Sequence, residues 1–229
     1  MKIADQIYGY FWRGRGNNCN SYLIAGEKNI LIDPGHVFNE FGENCLQMLA
    51  RELNRDGFNF EDIDLILCTH GHPDHSQGAG LVRKAGDALM AIHELEEPFL
   101  QAAADYLQSR GVEEGDASLA PDFYLQEGEL LAGREKALSL KVIHTPGHSP
   151  GAVCFYLPEP GVLFSGDTVF RSSIGRHDLP GGSLEELKAS IDKLAQLDPV
   201  ELLLPGHMGM VAGKERVQEN FRLVKAFFF

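Results

Sequence analysis

The segment Thr69-His70-Gly71-His72-Pro73-Asp74-His75 places four metal-competent side chains within six residues. Imidazole and carboxylate donors at this spacing suit divalent ions, and nothing about packing asks for them. Extended chain repeats its side-chain direction every two residues. His70, His72 and Asp74 are therefore expected to point one way and His75 another. Gly71 is expected to allow a sharp backbone turn, and Pro73 to bias His72 toward extended geometry. One short loop then offers donors to two neighbouring points in space.

Such a loop needs a rigid element behind it. Ile63 to Cys68 is a nearly continuous apolar run, the pattern of a strand buried on both faces. The arrangement recurs along the chain. Leu138, Leu140 and Val142 alternate as in a strand that leads to His144-Thr145-Pro146-Gly147-His148. Val162 to Phe164 ends at Ser165-Gly166-Asp167, and Val200 to Leu204 runs into Pro205-Gly206-His207. Donors at the same end of strands in one sheet converge although they lie far apart in sequence. Together they are five histidines and two aspartates: three His for one ion, two His and one Asp for another, and one carboxylate left to bridge.

The remaining elements follow from pattern. Ile7–Trp12, Asn20–Ile24 and Asn29–Ile32 read as strands, the last ending at Asp33-Pro34-Gly35. Asp33 is either a turn former or the group that holds a ligand histidine by its free N–H. Glu43–Asp56 reads as a helix with Leu46, Leu49 and Leu53 on one face and Gly57 as its stop. A helix is expected from His75 to Ala85, with Gly78 and Gly80 where a bulkier side chain would crowd the site. Ala88–His93 reads as a strand, Glu94 to about Arg110 as a helix, and Gly111–Asp122 as an acidic loop. Ala152–Leu157 and Val162–Phe164 are apolar strands joined by Pro158-Glu159-Pro160-Gly161. Ser183-Leu184-Glu185-Glu186 is a capping box that opens a helix, and a last helix spans about Lys214–Phe228. The Phe227-Phe228-Phe229 ending has too many large apolar groups for one helix face. It docks on the body or on a second subunit, which leaves a homodimer open.

The order His-x-His-x-Asp-His, then a His, an Asp and a last His resembles the metallo-β-lactamase superfamily, and the likeness covers essentially the whole chain. It implies an α/β fold, a four-layer αββα sandwich of two mixed sheets flanked by helices, formed by a single domain over residues 1–229. It also implies that His70, His72 and His148 hold one metal, that Asp74, His75 and His207 hold the other, and that Asp167 bridges them. Thr145-Pro146-Gly147-His148-Ser149-Pro150-Gly151 and Gly175-Arg176-His177-Asp178-Leu179-Pro180-Gly181-Gly182 are similar to the glyoxalase II-like hydrolases within that superfamily. The implied reaction is thioester hydrolysis, in which a metal-bridging hydroxide attacks the carbonyl and Asp74 orients the nucleophile. Persulfide dioxygenases with one iron, and lactonases, share the fold and are the alternatives; a metal-binding module without catalysis is the non-enzyme alternative. Long glutathione-thioester hydrolases place a Lys and a Tyr where Arg176 and Asp178 stand here. Arg176 is the candidate for a substrate carboxylate, with a salt bridge to Asp178 as its structural alternative.

Composition narrows the partners. A formal net charge of −13 over 229 residues argues against a phosphate backbone, and so against nucleic acid. No apolar run of about eighteen residues and no signal-peptide pattern occurs, so a soluble, cytoplasmic protein with no membrane association is expected. The four cysteines are scattered, without C-x-x-C spacing, and are expected to be reduced. The cofactor expected is a pair of divalent ions, zinc first, with iron or manganese as alternatives. The partner expected is a small-molecule thioester. His36, His93 and His144 are left for packing or support, and His177 for a loop that can line the cleft.

Overall fold

The computed structural model describes residues 1–109, 111–112, 119–134 and 138–229. Its elements divide into two compact units, one of residues 1–124 and 133–136, the other of residues 125–132 and 137–229.

In the first unit, strands β1 (Lys2–Ala4), β2 (Ile7–Tyr10), β3 (Ser21–Ile24), β4 (Ile30–Ile32), β5 (Leu65–Leu67), β6 (Leu89–His93) and β7 (Phe123–Leu125) form one sheet in chain order. β1 to β4 pair antiparallel and β4, β5 and β6 parallel, so the sheet is mixed. Helices α1 (Cys45–Arg55), α3 (Ala79–Gly86) and α4 (Glu97–Ser109) cover one face, and α2 (Pro73–Ser76) is a single turn after β5. The covering core joins Leu46, Leu49 and Leu53 of α1, Val82 of α3 and Leu100, Ala103 and Leu107 of α4 to Leu23, Leu31, Ile66 and Met90 of the strands. Each such apolar side chain contributes roughly 1.5–3 kcal/mol on full burial. α1 starts where expected because the Asn44 side chain accepts from Gln47 N, and it stops before Gly57, whose φ is +89°.

In the second unit, the sheet order is β15 (Val211–Ala212), β14 (Leu202–Pro205), β11 (Val162–Gly166), β10 (Val153–Leu157), β9 (Leu138–His144) and β8 (Gly128–Ala132). Among the described residues β11 and β14 pair parallel and the other neighbours antiparallel, which makes this sheet mixed too. Helices α5 (Leu184–Leu194) and α6 (Lys214–Phe228) lay Leu187, Ile191, Leu194, Val217, Phe221 and Val224 on Cys154, Tyr156, Leu163 and Leu203. Ser183 caps α5 by accepting from Glu186 N at 3.3 Å. The small ribbon of β12 (Val169–Phe170) and β13 (Ser173–Ile174) follows Asp167.

Two mixed sheets with flanking helices match the architecture implied by the resemblance. Six strands among the described residues were not foreseen: β1, β7, β8, β12, β13 and β15. The helix expected over Glu94–Arg110 divides into a 3₁₀ turn at Glu94–Glu96 and then α4. Its expected end at Arg110, and residues 113–118 of the expected loop, lie outside the described residues. All four cysteines are buried, and none is in a disulfide. No helix among the described residues is long and apolar enough to cross a membrane.

Candidate metal centre

In the first unit, the donors stand where β5 ends. His72 is extended at φ −62°, ψ 144°, as a residue before proline should be, and Pro73 occupies the first position of α2. Asp74 and His75 therefore sit on a helical turn, which corrects the expected extended run from His70 to Asp74. Gly71 needs a second correction. It is absent from the glycines with positive φ. A Cβ there would lie 2.8 Å from Phe99 Cβ and 2.9 Å from Glu96 O, so close approach, not turning, requires glycine.

The alternatives for Asp33 are resolved by its contacts. It is 2% exposed, and Oδ1 accepts from Thr69 N at 2.7 Å. Oδ2 accepts from Thr69 Oγ1 at 2.7 Å and lies 2.8 Å from His75 Nδ1. With its hydroxyl proton given to Asp33, Thr69 Oγ1 is left as an acceptor 3.1 Å from His70 Nδ1. One buried carboxylate thus fixes both imidazoles with Nδ1 as donor and Nε2 turned outward as a basic nitrogen. A ligand nitrogen of His70 lies within 4.8 Å of one on His72 and of one on His75. Asp74 Oδ2 is 3.9 Å from His75 Nε2, and it accepts from Asn17 Nδ2 at 2.7 Å. Asn17 was not foreseen; it lies fifty-seven residues away, in a loop with no motif.

In the second unit, His148, Asp167 and His207 come together. Asp167 Oδ2 is 3.6 Å from His148 Nε2 and 3.4 Å from His207 Nε2. These separations are too long for good hydrogen bonds. They match the edge between two donors on one tetrahedral ion, about 3.3–3.6 Å for bonds of about 2.0–2.2 Å. His148 Nδ1 donates to Arg176 O at 2.6 Å, which presents Nε2 again. The Gly175–Arg176 segment packs so tightly that a Cβ on Gly175 would fall 1.7 Å from Asp167 O. The Arg176 carbonyl therefore positions a donor, a role its side chain had hidden. Its guanidinium instead binds Asp178 through two oxygens, at 2.9 and 3.0 Å, in the open. That contact holds the Asp178 carboxyl down to about 2, chiefly through the hydrogen bond from Arg176.

The other histidines act locally. His36 Nδ1 faces Gln77 Oε1 at 3.2 Å, and burial lowers its pKa. His93 Nδ1 accepts from Leu95 N, and His144 Nε2 lies 2.9 Å from Pro150 O.

The whole-family model of the metallo-β-lactamase superfamily matches residues 14–207, from before the first donor through the last. The chain belongs to the metallo-β-lactamase superfamily. As a member it is a metal-dependent hydrolase with the fold of two mixed sheets and flanking helices. A probable metallo-hydrolase of Methanocaldococcus jannaschii is 34% identical over 197 residues, 85% of this chain and 89% of that protein. A protein of Haemophilus influenzae named hydroxyacylglutathione hydrolase GloC is 33% identical over 194 residues, 83% of this chain and 84% of its own length. Among solved structures, TTHA1623 in a di-iron-bound form is 33% identical with a TM-score of 0.67, over 87% of this chain and 92% of that one. The donor chemistry of both units fits such ions: imidazoles oriented through the far nitrogen, carboxylates beside them, and no thiolate.

Proposed function

We propose that this metallo-β-lactamase superfamily member is a thioesterase of glyoxalase II type. His70, His72 and His148 would hold one divalent ion, Asp74, His75 and His207 the second, and Asp167 both; zinc is the first choice of metal. Ions so held supply an activated water at neutral pH and polarise a bound carbonyl. The chain's own groups do the rest. Asp33 keeps His75 and, through Thr69, His70 from rotating. Asp74, braced at Oδ2 by Asn17, orients the water and takes up its proton. A thiolate leaving group has a pKa near about 8.5 and needs no strong acid. Arg176 would receive a substrate carboxylate in exchange for Asp178, an open pair that a bound anion can displace.

What supports the thioester is the 33% identity, over 83% of this chain, to a protein named hydroxyacylglutathione hydrolase GloC. The test is the rate of S-D-lactoylglutathione hydrolysis by protein loaded in turn with zinc, iron and manganese, with Asp74→Asn as control. A high kcat/KM that falls at least about 100-fold in the variant is the expected result. Fully metallated protein without turnover would remove this substrate, and oxygen uptake with glutathione persulfide by the iron form would replace the reaction with a dioxygenation.

A further inference from the structure

We infer that Glu96 is a positioning residue for the two ligands His70 and His72, an inference that rests on the ligand assignment proposed above. Glu96 is fully buried. Burying a carboxylate is costly unless strong donors meet it, so a chain that keeps one gains something an apolar residue would not give. Its Oε2 accepts from Gly71 N at 2.7 Å, within the range of charge-assisted hydrogen bonds. That N–H belongs to the peptide joining His70 to Gly71. Holding it fixes the torsions on either side, and with them the direction of His72 relative to His70. The loop is loaded from the same side by Phe99, whose ring meets His72 edge-on at 5.2 Å between centroids. The Glu96–Phe99 segment lies so near Gly71 that no Cβ fits. The turn bearing Glu96 is itself pinned, since His93 Nδ1 accepts from Leu95 N at 3.3 Å. Asp33 thus sets the rotation of His70 and His75, while Glu96 sets the spacing of His70 and His72 through the main chain.

The role separates from a merely structural one by metal affinity and by ligand geometry. Zinc dissociation constants from chelator competition, and the visible absorption of the cobalt-loaded protein, would be measured for wild type, Glu96→Ala, Glu96→Gln, Glu96→Asp and His72→Ala. Glu96→Ala should weaken one of the two ions about 10- to 100-fold and change the cobalt spectrum. Glu96→Gln keeps an acceptor of the same length and should stay within a few-fold of wild type. Glu96→Asp keeps the charge but withdraws it from Gly71, and should fall between. Wild-type affinity and spectrum in both Glu96→Ala and Glu96→Asp would overturn the inference. Should Glu96→Ala not fold, wild-type values in Glu96→Asp alone, or equal losses in Glu96→Asp and Glu96→Gln, would overturn it. If His72→Ala leaves affinity and spectrum unchanged, the ligand assignment itself fails, and the inference fails with it.

Discussion

At the scale of single residues, the candidate donors are held by groups outside the proposed ligand set. Asp33 sits at φ +52°, an uncommon conformation for a residue with a side chain, at the end of β4. The strain is offset by contacts to Thr69 and His75 that no exposed turn would give it. Asn17 plays the corresponding part for Asp74, from a loop fixed by Glu40, which accepts from Asn17 N at 2.9 and 3.1 Å. A carboxylate that must both bind an ion and direct a water cannot rotate freely. Removing the amide should release it without removing the ion. Asn17→Ala is therefore expected to lower kcat about 10-fold or more while KM and metal content stay near wild type. A raised KM with unchanged kcat would assign Asn17 to substrate binding instead. The candidate donors stand out in the sequence because side-chain type and spacing point to metal binding. Their supports do not. Asn17 and Glu96 are common polar residues far from any motif, and Arg176 acts through a carbonyl that every residue possesses.

At the scale of elements, the start of α5 and the loop that ends in His148 determine each other. Gly147 has φ +130°, and a Cβ there would lie 2.2 Å from Leu187 N, inside the first turn of the helix. Gly147 O accepts from Ser183 N at 2.8 Å, and Ser190 Oγ donates to Pro146 O at 2.7 Å. The helix is thus a wall against which the ligand loop is pressed. Gly147→Ala should cost more than about 2 kcal/mol and weaken metal binding with it, because strain and clash fall on the residue before His148. Ser183→Ala removes only the cap and should cost about 1 kcal/mol with metal affinity unchanged. Denaturant midpoints and chelator competition on both variants check the pair; equal effects on metal affinity would show that α5 stability, not the fit at Gly147, positions His148. The same elements show which parts of the fold the sequence announces. The long apolar runs behind each donor, and the capped helices, are where their patterns put them. β1, β7, β8, β12, β13 and β15 were missed because β1, β7, β8 and β15 are edge strands, β12 and β13 form a separate ribbon, and all but β8 span only two or three residues, too short for period-two alternation to emerge. The turn of α2 was missed because proline at its first position marks a helix start as readily as a break.

At the scale of the molecule, fixed donors and negative charge make the metal a folding ligand. The chain carries a formal charge of −13; in the first unit Asp33 and Asp74, and in the second Asp167, stand beside candidate donor imidazoles. Each divalent ion offsets two such charges where they lie closest, and the unfolded chain, whose donors are scattered, binds it far less well. Stabilisation then grows with free metal as RT ln(1 + [M]/Kd), about 4 kcal/mol per ion at a thousandfold excess over Kd. For a chain of this size each kcal/mol moves the melting midpoint by about 2–4 °C. Stripping the protein with chelator should therefore lower its midpoint by about 8 °C or more, and adding back zinc should restore it in proportion to the logarithm of free metal. Asp167→Asn tests whether the effect belongs to the proposed centre. With one charge gone and the partner of His148 and His207 weakened, the chelator-sensitive part of the midpoint should shrink. A midpoint that ignores chelator in the wild type would mean that the donor sets are stable without ions, and a chelator response unchanged in Asp167→Asn would place the stabilising metal elsewhere on the chain.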